Sequence, residues 1–473
     1  MDVTSRPPSA SETIASFASA FDPASLDDSH IRTCGRAIAD TFAVCIAASD
    51  EPAVHRMRGY VAGLTPGLEH PTSASRPGFA RIWGRREATT VEGAALLNGT
   101  AAHVLDFDDA SSPMSGHPSV ALLPALMALG EARDISAGRL ASGYVVGLEI
   151  ACKLGKALAT THYDRGWHMT SSVGTIAAAA ACAHLLGLDV AATVSAIGLA
   201  VAQTAGTRAN FGFDAKSFQA GQCGAAALRA VLLAERGFSA SPGAIDGRAG
   251  YTSLYSNSED ISAQLHKLGE LPLEIERSGV EIKKYPACYA VHRALDGLFE
   301  LKKEFDLKLD DIESVEIETS YGALSPLIRG VPASGVEAKF SMGYAVAAAI
   351  EDGVIGLSSF TDAAVHRPRL QSFIERVSAS EVAGGMTPRW ASVAVRTKDG
   401  RLLSRHIDSL RGAPSNPLSD QELIEKITDC LAWADSPIDA VSLYEAATNL
   451  RGFSVREVLD AIEGATNPAY EVH

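Results

Sequence analysis

The chain has 473 residues, 47% of them hydrophobic and 21% charged, with a formal net charge of −15. That length exceeds what one hydrophobic core fills, so two domains are expected, and the apolar content excludes wholesale disorder. The acidic charge is spread along the chain with no basic stripe, which excludes nucleic acid as a partner.

The first residues, MDVTSRPPSASET, are polar and lack a basic stretch followed by an apolar run, so no secretory signal is expected. From residue 10 to about 270 the chain reads as helix after helix. HIRTCGRAIADTFAVCIAASD, TTVEGAALLNGTAAHVLDF, SVALLPALMALGEARD and GRLASGYVVGLEIACKLGKALA all carry apolar residues at three- and four-residue spacing. Capping signals punctuate the run: Ser25 and Asp27 before one helix, Gly187, and Gly237 after RAVLLAER. The most membrane-like stretch, VGTIAAAAACAHLLGLDVAATVSAIGLAVAQTAG, is alanine-rich, carries His184 and is cut by Gly187 and Asp189. Those two residues read as a C-cap followed by an N-cap, which predicts a buried helical hairpin and no membrane span.

Near residue 280 the texture changes. IESVEIETS alternates as a half-buried strand should, and WASVAVRTKDGRLLSRHI holds two alternating runs joined around Asp399-Gly400, a hairpin signal. GLFELKKEFD and GYAVAAAIEDG read as helices among these strands, and NPLSDQELIEKITDCLAWA restores pure helix. The fold class is therefore mainly α with an α+β insert: a large helical domain over 1–279, an α+β domain over 280–416 and a helical return over 417–473. The seven cysteines are scattered without a C-x-x-C, which fits buried thiols in a reducing cytoplasm and excludes an iron–sulfur cluster.

One connection breaks the apolar texture. DFDDASSPMSGHPSV, residues 106–120, packs three carboxylates, four serines, two prolines and a histidine between two helical runs. It is either a solvated loop or one wall of a site. Four stretches place a basic residue at a helix start: His117 before Pro118, His168 before a Thr-Ser-Ser run, Lys216 ahead of AGQCGAAALRAVLLAER, and Lys283 with Lys284 ahead of Pro286. Cations oppose the dipole at a helix N-terminus, so several of them together point to an anion held among backbone N–H groups, a carboxylate or a phosphate. Asp106, Asp108 and Asp109 are then bases or partners that orient the cations. The plainer alternatives are a cap for His117 or His168, a satisfied core residue for His103, solvated or capping roles for Asp108 and Asp109, and surface charge for Lys283 and Lys284. No G-x-G-x-x-G follows a predicted strand, Lys216 lacks the glycine frame of a phosphate loop, and H-E-x-x-H is absent. Neither nucleotide nor metal chemistry is expected.

At these same stretches the chain resembles the MmgE/PrpD family, which includes 2-methylcitrate dehydratases, cis-aconitate decarboxylases and iminodisuccinate epimerases. The matching pieces are NGTAAHVLDFDD, GHPSVALLPALMALGE, GWHMTSSVGTIAAAAACAHLLGL, KKYPACYAVHRALDGL, KFSMGYAVAAAIEDG and NPLSDQEL, in order from about residue 90 to 425. The resemblance implies a helical domain with a smaller lid domain, a cytoplasmic homodimer, no metal or other cofactor, and a small di- or tricarboxylate as ligand. Residue by residue it implies roles for Asp106 of D-F-D-D, His117 of H-P-S, His168 of G-W-H-x-T, Lys216, Lys283 of K-x-Y-P, and Tyr344. Ser111, Ser112, Thr170 and Lys284 stand beside these as candidate substrate contacts. Many relatives carry threonine where this chain has Ala110, so a hydroxyl is missing or comes from Ser111 or Ser112, and many carry histidine where it has Gln219. The loop ASSPMSGH is closer to the epimerase-like members. The expectation is a lyase acting at the carbon next to a carboxylate; an epimerase and an inactive polyacid binder are the alternatives.

Overall fold

The computed structural model describes residues 6–64, 78–85, 87–384 and 389–464. Residues 1–5 of the polar N-terminal stretch lie outside them. The chain divides into two compact units, one built from Met1–Glu281 with Leu423–His473 and the other from Ile282–Glu422.

The first unit is helical. Its core is dominated by alanine and leucine, and small side chains let helix axes approach closely. The closest approach joins Val91–Val104 to Asp214–Glu235: a Cβ on Gly221 would lie 2.2 Å from the Leu96 carbonyl oxygen, so only glycine fits there. The alanine-rich run forms Gly174–Leu186 and Val190–Val201, closed by Gly187 in the left-handed region and reopened by Asp189, whose carboxylate accepts from the Ala192 N–H. Met169–Leu186 is long and apolar enough to cross a membrane, yet 94% of it is buried within the protein, the position of a core helix. Asp27 caps Asp28–Ala47, whereas Ser25 only ends a short 3-10 turn. A two-stranded hairpin, β1 (Phe79–Arg81) and β2 (Ala88–Thr90), adds a small sheet that the alternation rules did not anticipate. All seven cysteines are buried, and none forms a disulfide.

The C-terminal return belongs to this unit. Asp420–Trp433 sends the Lys426 ammonium to Asp40 at 2.6 Å, and Val455–Gly464 carries Asp460 and Glu463 to the buried Arg81.

The second unit is α+β. Its sheet runs β4–β3–β5–β6, from β3 (Ile312–Ser320), β4 (Val377–Val382), β5 (Ala391–Thr397) and β6 (Leu402–Ile407). β5 and β6 form the hairpin around Asp399-Gly400, and both β3–β5 and β5–β6 are antiparallel. β4 pairs parallel to β3 at the edge. Val315, Ile317, Val393 and Val395 bury one face among apolar residues of Tyr289–Phe305 and Met342–Asp352.

Candidate active site

The 106–117 connection is not a solvated loop. Phe107 and Met114 are buried, and Asp108 and Asp109 have no exposed surface at all. Three anchors bury it. The Ala110 and Glu281 backbones exchange hydrogen bonds of 2.9 and 2.8 Å, and the Ser112 N–H donates to the Glu281 carboxylate at 3.2 Å. At Gly155 of the Ala137–Asp164 helix the loop backbone comes so near that a Cβ would lie 2.4 Å from the Pro113 carbonyl oxygen. The loop opens with Asp106 at φ 55°, a left-handed conformation that aspartate tolerates better than most residues.

Asp106 meets Lys216 on the first turn of Asp214–Glu235, with Nζ 2.6 Å from Oδ1. The sequence-predicted counterweight to a helix-start cation is thus realised by this pair. Both side chains keep a little surface, 14% for Lys216 and 12% for Asp106.

Asp108 lies between two imidazoles. Its Oδ2 is 2.8 Å from His103 Nδ1 and 3.2 Å from His117 Nδ1, and the His103 and His117 rings meet edge to face at 4.7 Å. His117 Nδ1 is also 2.7 Å from the Asp109 carbonyl oxygen. A carbonyl only accepts, so His117 Nδ1 carries its proton, leaving Nε2 to act outward. The same logic applies to His168. Its Nδ1 is 2.7 Å from Gln219 Oε1, and the Gln219 amide is oriented by donating from Nε2 to the Thr207 carbonyl. His168 stacks 5.8 Å from His103. Three imidazoles are therefore held through their Nδ1–H groups in one neighbourhood. His103, Asp108 and His117 have their ligand atoms close enough for a metal. Here both Nδ1 atoms face oxygen, His103 toward Asp108 and His117 toward Asp108 and the Asp109 carbonyl, so a metal would have to displace their protons.

Burial pushes His103 down to about 4, with Asp108 opposing and Lys216 adding to the effect. Burial, His103 and Lys216 together hold His168 well below the ordinary histidine value. Both rings are neutral at pH 7. Burial works against the Asp108 charge, but His103 and His117 outweigh it and hold the carboxyl well below its usual range. Asp109 goes the other way: burial pushes it well above that range despite the Ser119 N–H at 3.2 Å and the Ser119 hydroxyl on its carboxylate, and Asp40 and Asp108 push further. Two neighbouring aspartates are thus pushed in opposite directions, Asp108 down and Asp109 up.

His117 and His168 occupy N-cap positions, as their spacing predicts, but neither side chain caps its helix. The His168 ring is buried, while the His117 ring keeps part of its surface exposed. Thr170 is buried, and its hydroxyl accepts the His117 N–H at 3.1 Å, a structural task. Ser111 is also turned inward, toward Cys152 and the Met114 N–H, so it does not replace the hydroxyl missing at Ala110. Ser112 is exposed. The remaining candidates belong to the second unit. There Lys283 is buried, Lys284 pairs with Glu422 at 3.3 Å, and the wholly buried Tyr344 donates its hydroxyl to the Ser359 carbonyl. The spacing reads His103 as a satisfied core residue and leaves Asp108 and Asp109 open between partners of the cations and plain caps. The signal was present in the five-residue spacing of His103 and Asp108 across a helix end, but burial was not readable from it.

The family model described as the MmgE/PrpD N-terminal domain matches residues 12–264, and that of the MmgE/PrpD C-terminal domain matches residues 285–449. The chain belongs to the MmgE/PrpD family. Among characterised relatives of this MmgE/PrpD protein is a cis-aconitate decarboxylase of Homo sapiens, 26% identical over 418 residues, covering 82% of this chain and 85% of the relative. A cis-aconitate decarboxylase of Mus musculus is 26% identical over 418 residues, 85% of this chain and 82% of the relative. A cis-aconitate decarboxylase-like protein of Aspergillus oryzae is 25% identical over 421 residues, 82% of this chain and 85% of the relative.

Proposed function

We propose that the chain is an MmgE/PrpD-type lyase acting at the carbon next to a carboxylate of a small di- or tricarboxylic acid, as a homodimer in the cytoplasm. One observation carries this reading: a Lys216–Asp106 pair at a helix start beside three imidazoles whose Nδ1–H groups are all engaged. Such a site offers an ammonium for a substrate carboxylate and a ring nitrogen for a carbon-bound proton. His117, with 17% of its side chain exposed, is the imidazole that reaches solvent; His103 and His168 are buried and neutral.

In a dehydration, His117 Nε2 takes the proton next to the carboxylate, Lys216 stabilises the charge that develops there, and hydroxide leaves the adjacent carbon. In a decarboxylation, the bond to the departing carboxylate breaks, carbon dioxide leaves, and the electron pair on carbon takes a proton from the His117 imidazolium. The names of the relatives favour decarboxylation, so cis-aconitate is the first substrate to try. The epimerase reading has its own support in the loop ASSPMSGH, which resembles the epimerase-like members more than the decarboxylases.

A panel of di- and tricarboxylates incubated in D2O and followed by NMR tests this. Loss of a carboxylate with deuterium uptake identifies a decarboxylase, a new alkene identifies a dehydratase, and exchange with inversion identifies an epimerase. Binding without change in any member of the panel would refute catalysis and leave a polyacid binder.

A further inference from the structure

The C-terminal return reaches the site through Lys426. Lys426 is almost wholly buried, and its ammonium meets three things: Asp40 Oδ1 at 2.6 Å, the Phe107 carbonyl oxygen at 2.9 Å, and the face of the Phe107 ring at 4.0 Å from its centroid. Asp40 has no exposed surface, and no other side chain among the described residues donates a hydrogen bond to it. The three partners come from far apart in the chain: the Asp28–Ala47 helix, the D-F-D-D segment and the Asp420–Trp433 helix.

A buried ion pair of this kind is a poor source of stability, since desolvating two charges offsets most of their attraction. Its placement supplies another reason. The carbonyl that Lys426 holds belongs to the peptide between Phe107 and Asp108, so the ammonium fixes the link between two working residues. On one side is Asp106, in the left-handed region and paired with Lys216; on the other is Asp108, accepting from His103 and His117.

We propose that Lys426, held by Asp40, is a positioning residue: it fixes the Phe107–Asp108 peptide and so sets the direction from which Asp108 accepts the His103 and His117 ring protons. This rests on reading that cluster as the proton-handling part of the site. The test therefore observes the ring protons themselves and needs no substrate, so a failed substrate panel leaves it decisive.

The measurement is NMR of the full chain labelled with 15N-histidine, with thermal unfolding on the same samples. In the wild type the Nδ1–H protons of His103 and His117 are buried and bonded to oxygen, so they exchange slowly and appear downfield. The double variant Lys426→Met/Asp40→Asn removes both charges together and leaves neither one stranded. It is expected to keep a Tm close to wild type, while these ring protons exchange about tenfold faster or more, the effect of losing one charge-assisted hydrogen bond to the backbone. Wild-type exchange in a folded double variant would overturn the proposal. If that variant does not fold, Lys426→Arg decides. Arginine retains the charge and reaches Asp40, but its planar fork does not reproduce the ammonium's simultaneous approach to a carboxylate, a carbonyl and a ring face. Displaced ring-proton signals are expected there too, and unchanged ones would again overturn the assignment. Once a substrate is in hand, the folded variant should lose kcat about tenfold at similar KM, a split that a purely structural role would not produce.

Discussion

Replacing Asp108 with asparagine tests how the site assigns its protons. The wild-type carboxylate accepts from two imidazoles through one oxygen, at 2.8 Å from His103 and 3.2 Å from His117. Asparagine can place its oxygen where Oδ2 lies and its NH2 where the unpartnered Oδ1 lies, so both rings keep an acceptor but lose its charge. Losing a buried hydrogen bond to a charged group costs about 1.5–3 kcal/mol. In a domain of this size roughly 2 °C of Tm accompanies each kcal/mol, so a fall of about 3–6 °C is expected. Turnover should fall further in proportion, by about 10²–10⁴, the share that general acid–base catalysis supplies. The pH dependence carries a sign. The native Asp108 carboxyl is held below its unfolded value, so its stabilisation is complete above about pH 4 and disappears as the pH falls further. The Tm gap between wild type and variant should be full at pH 7 and narrow under acid. Thermal scans at several pH values and turnover on one preparation provide both numbers. A folded variant with wild-type turnover would show that Asp108 does not govern the site.

Three further outcomes are expected. Lys216→Met should weaken polycarboxylate binding or turnover about ten- to a hundredfold while the protein stays folded, measured by kinetics beside circular dichroism. Gly221→Ala should destabilise by about 1–3 kcal/mol or more, because its Cβ would lie 2.2 Å from the Leu96 carbonyl oxygen; a wild-type Tm would contradict the close packing of the helices that carry His103 and Lys216. Glu463→Gln should flatten the pH dependence of Tm: burial, opposed by Arg81, pushes the native carboxyl up to about 7, so the wild type loses stability as pH rises from its unfolded value of about 4.3 through 7 and the variant does not.

Much of this was legible from residue spacing, and the reasons it stopped are physical. The alanine-rich helices announce themselves because buried faces recur every three or four residues, and Gly187 with Asp189 punctuates them through local backbone chemistry. The Asp399-Gly400 hairpin is equally local. β4 is not: VSASEV is a polar, mostly exposed edge strand, and it pairs parallel to β3 across 62 positions, from Val315 to Val377. The helix-start basic residues were found by position, but the direction of their side chains was not. His117 and His168 sit at N-caps and cap nothing, because the Asp109 carbonyl and Gln219 hold their rings.

The hardest feature to read was the charge burial, and it decides the chemistry. Asp40, Asp108 and Asp109 influence one another within one buried neighbourhood, and three unscreened carboxylates cannot all stay ionised there. The structure answers each differently. Lys426, 386 positions after Asp40 in the chain, supplies Asp40 with a counter-charge. Two imidazole N–H groups serve Asp108. Asp109 is pushed up by burial and takes the Ser119 hydroxyl, which lies 2.7 Å from the buried Tyr144 hydroxyl behind it. A sequence reading that sees D-F-D-D counts three solvated charges, because the groups that change their state arrive from other helices. With Asp108 as the ionised member of the Asp108–Asp109 pair, His103 and His168 stay neutral under burial, and the positive charge available to an anion rests on Lys216. His117, beside the Asp108 carboxylate and with 17% of its side chain exposed, is the imidazole to which the proposed function gives the proton exchange.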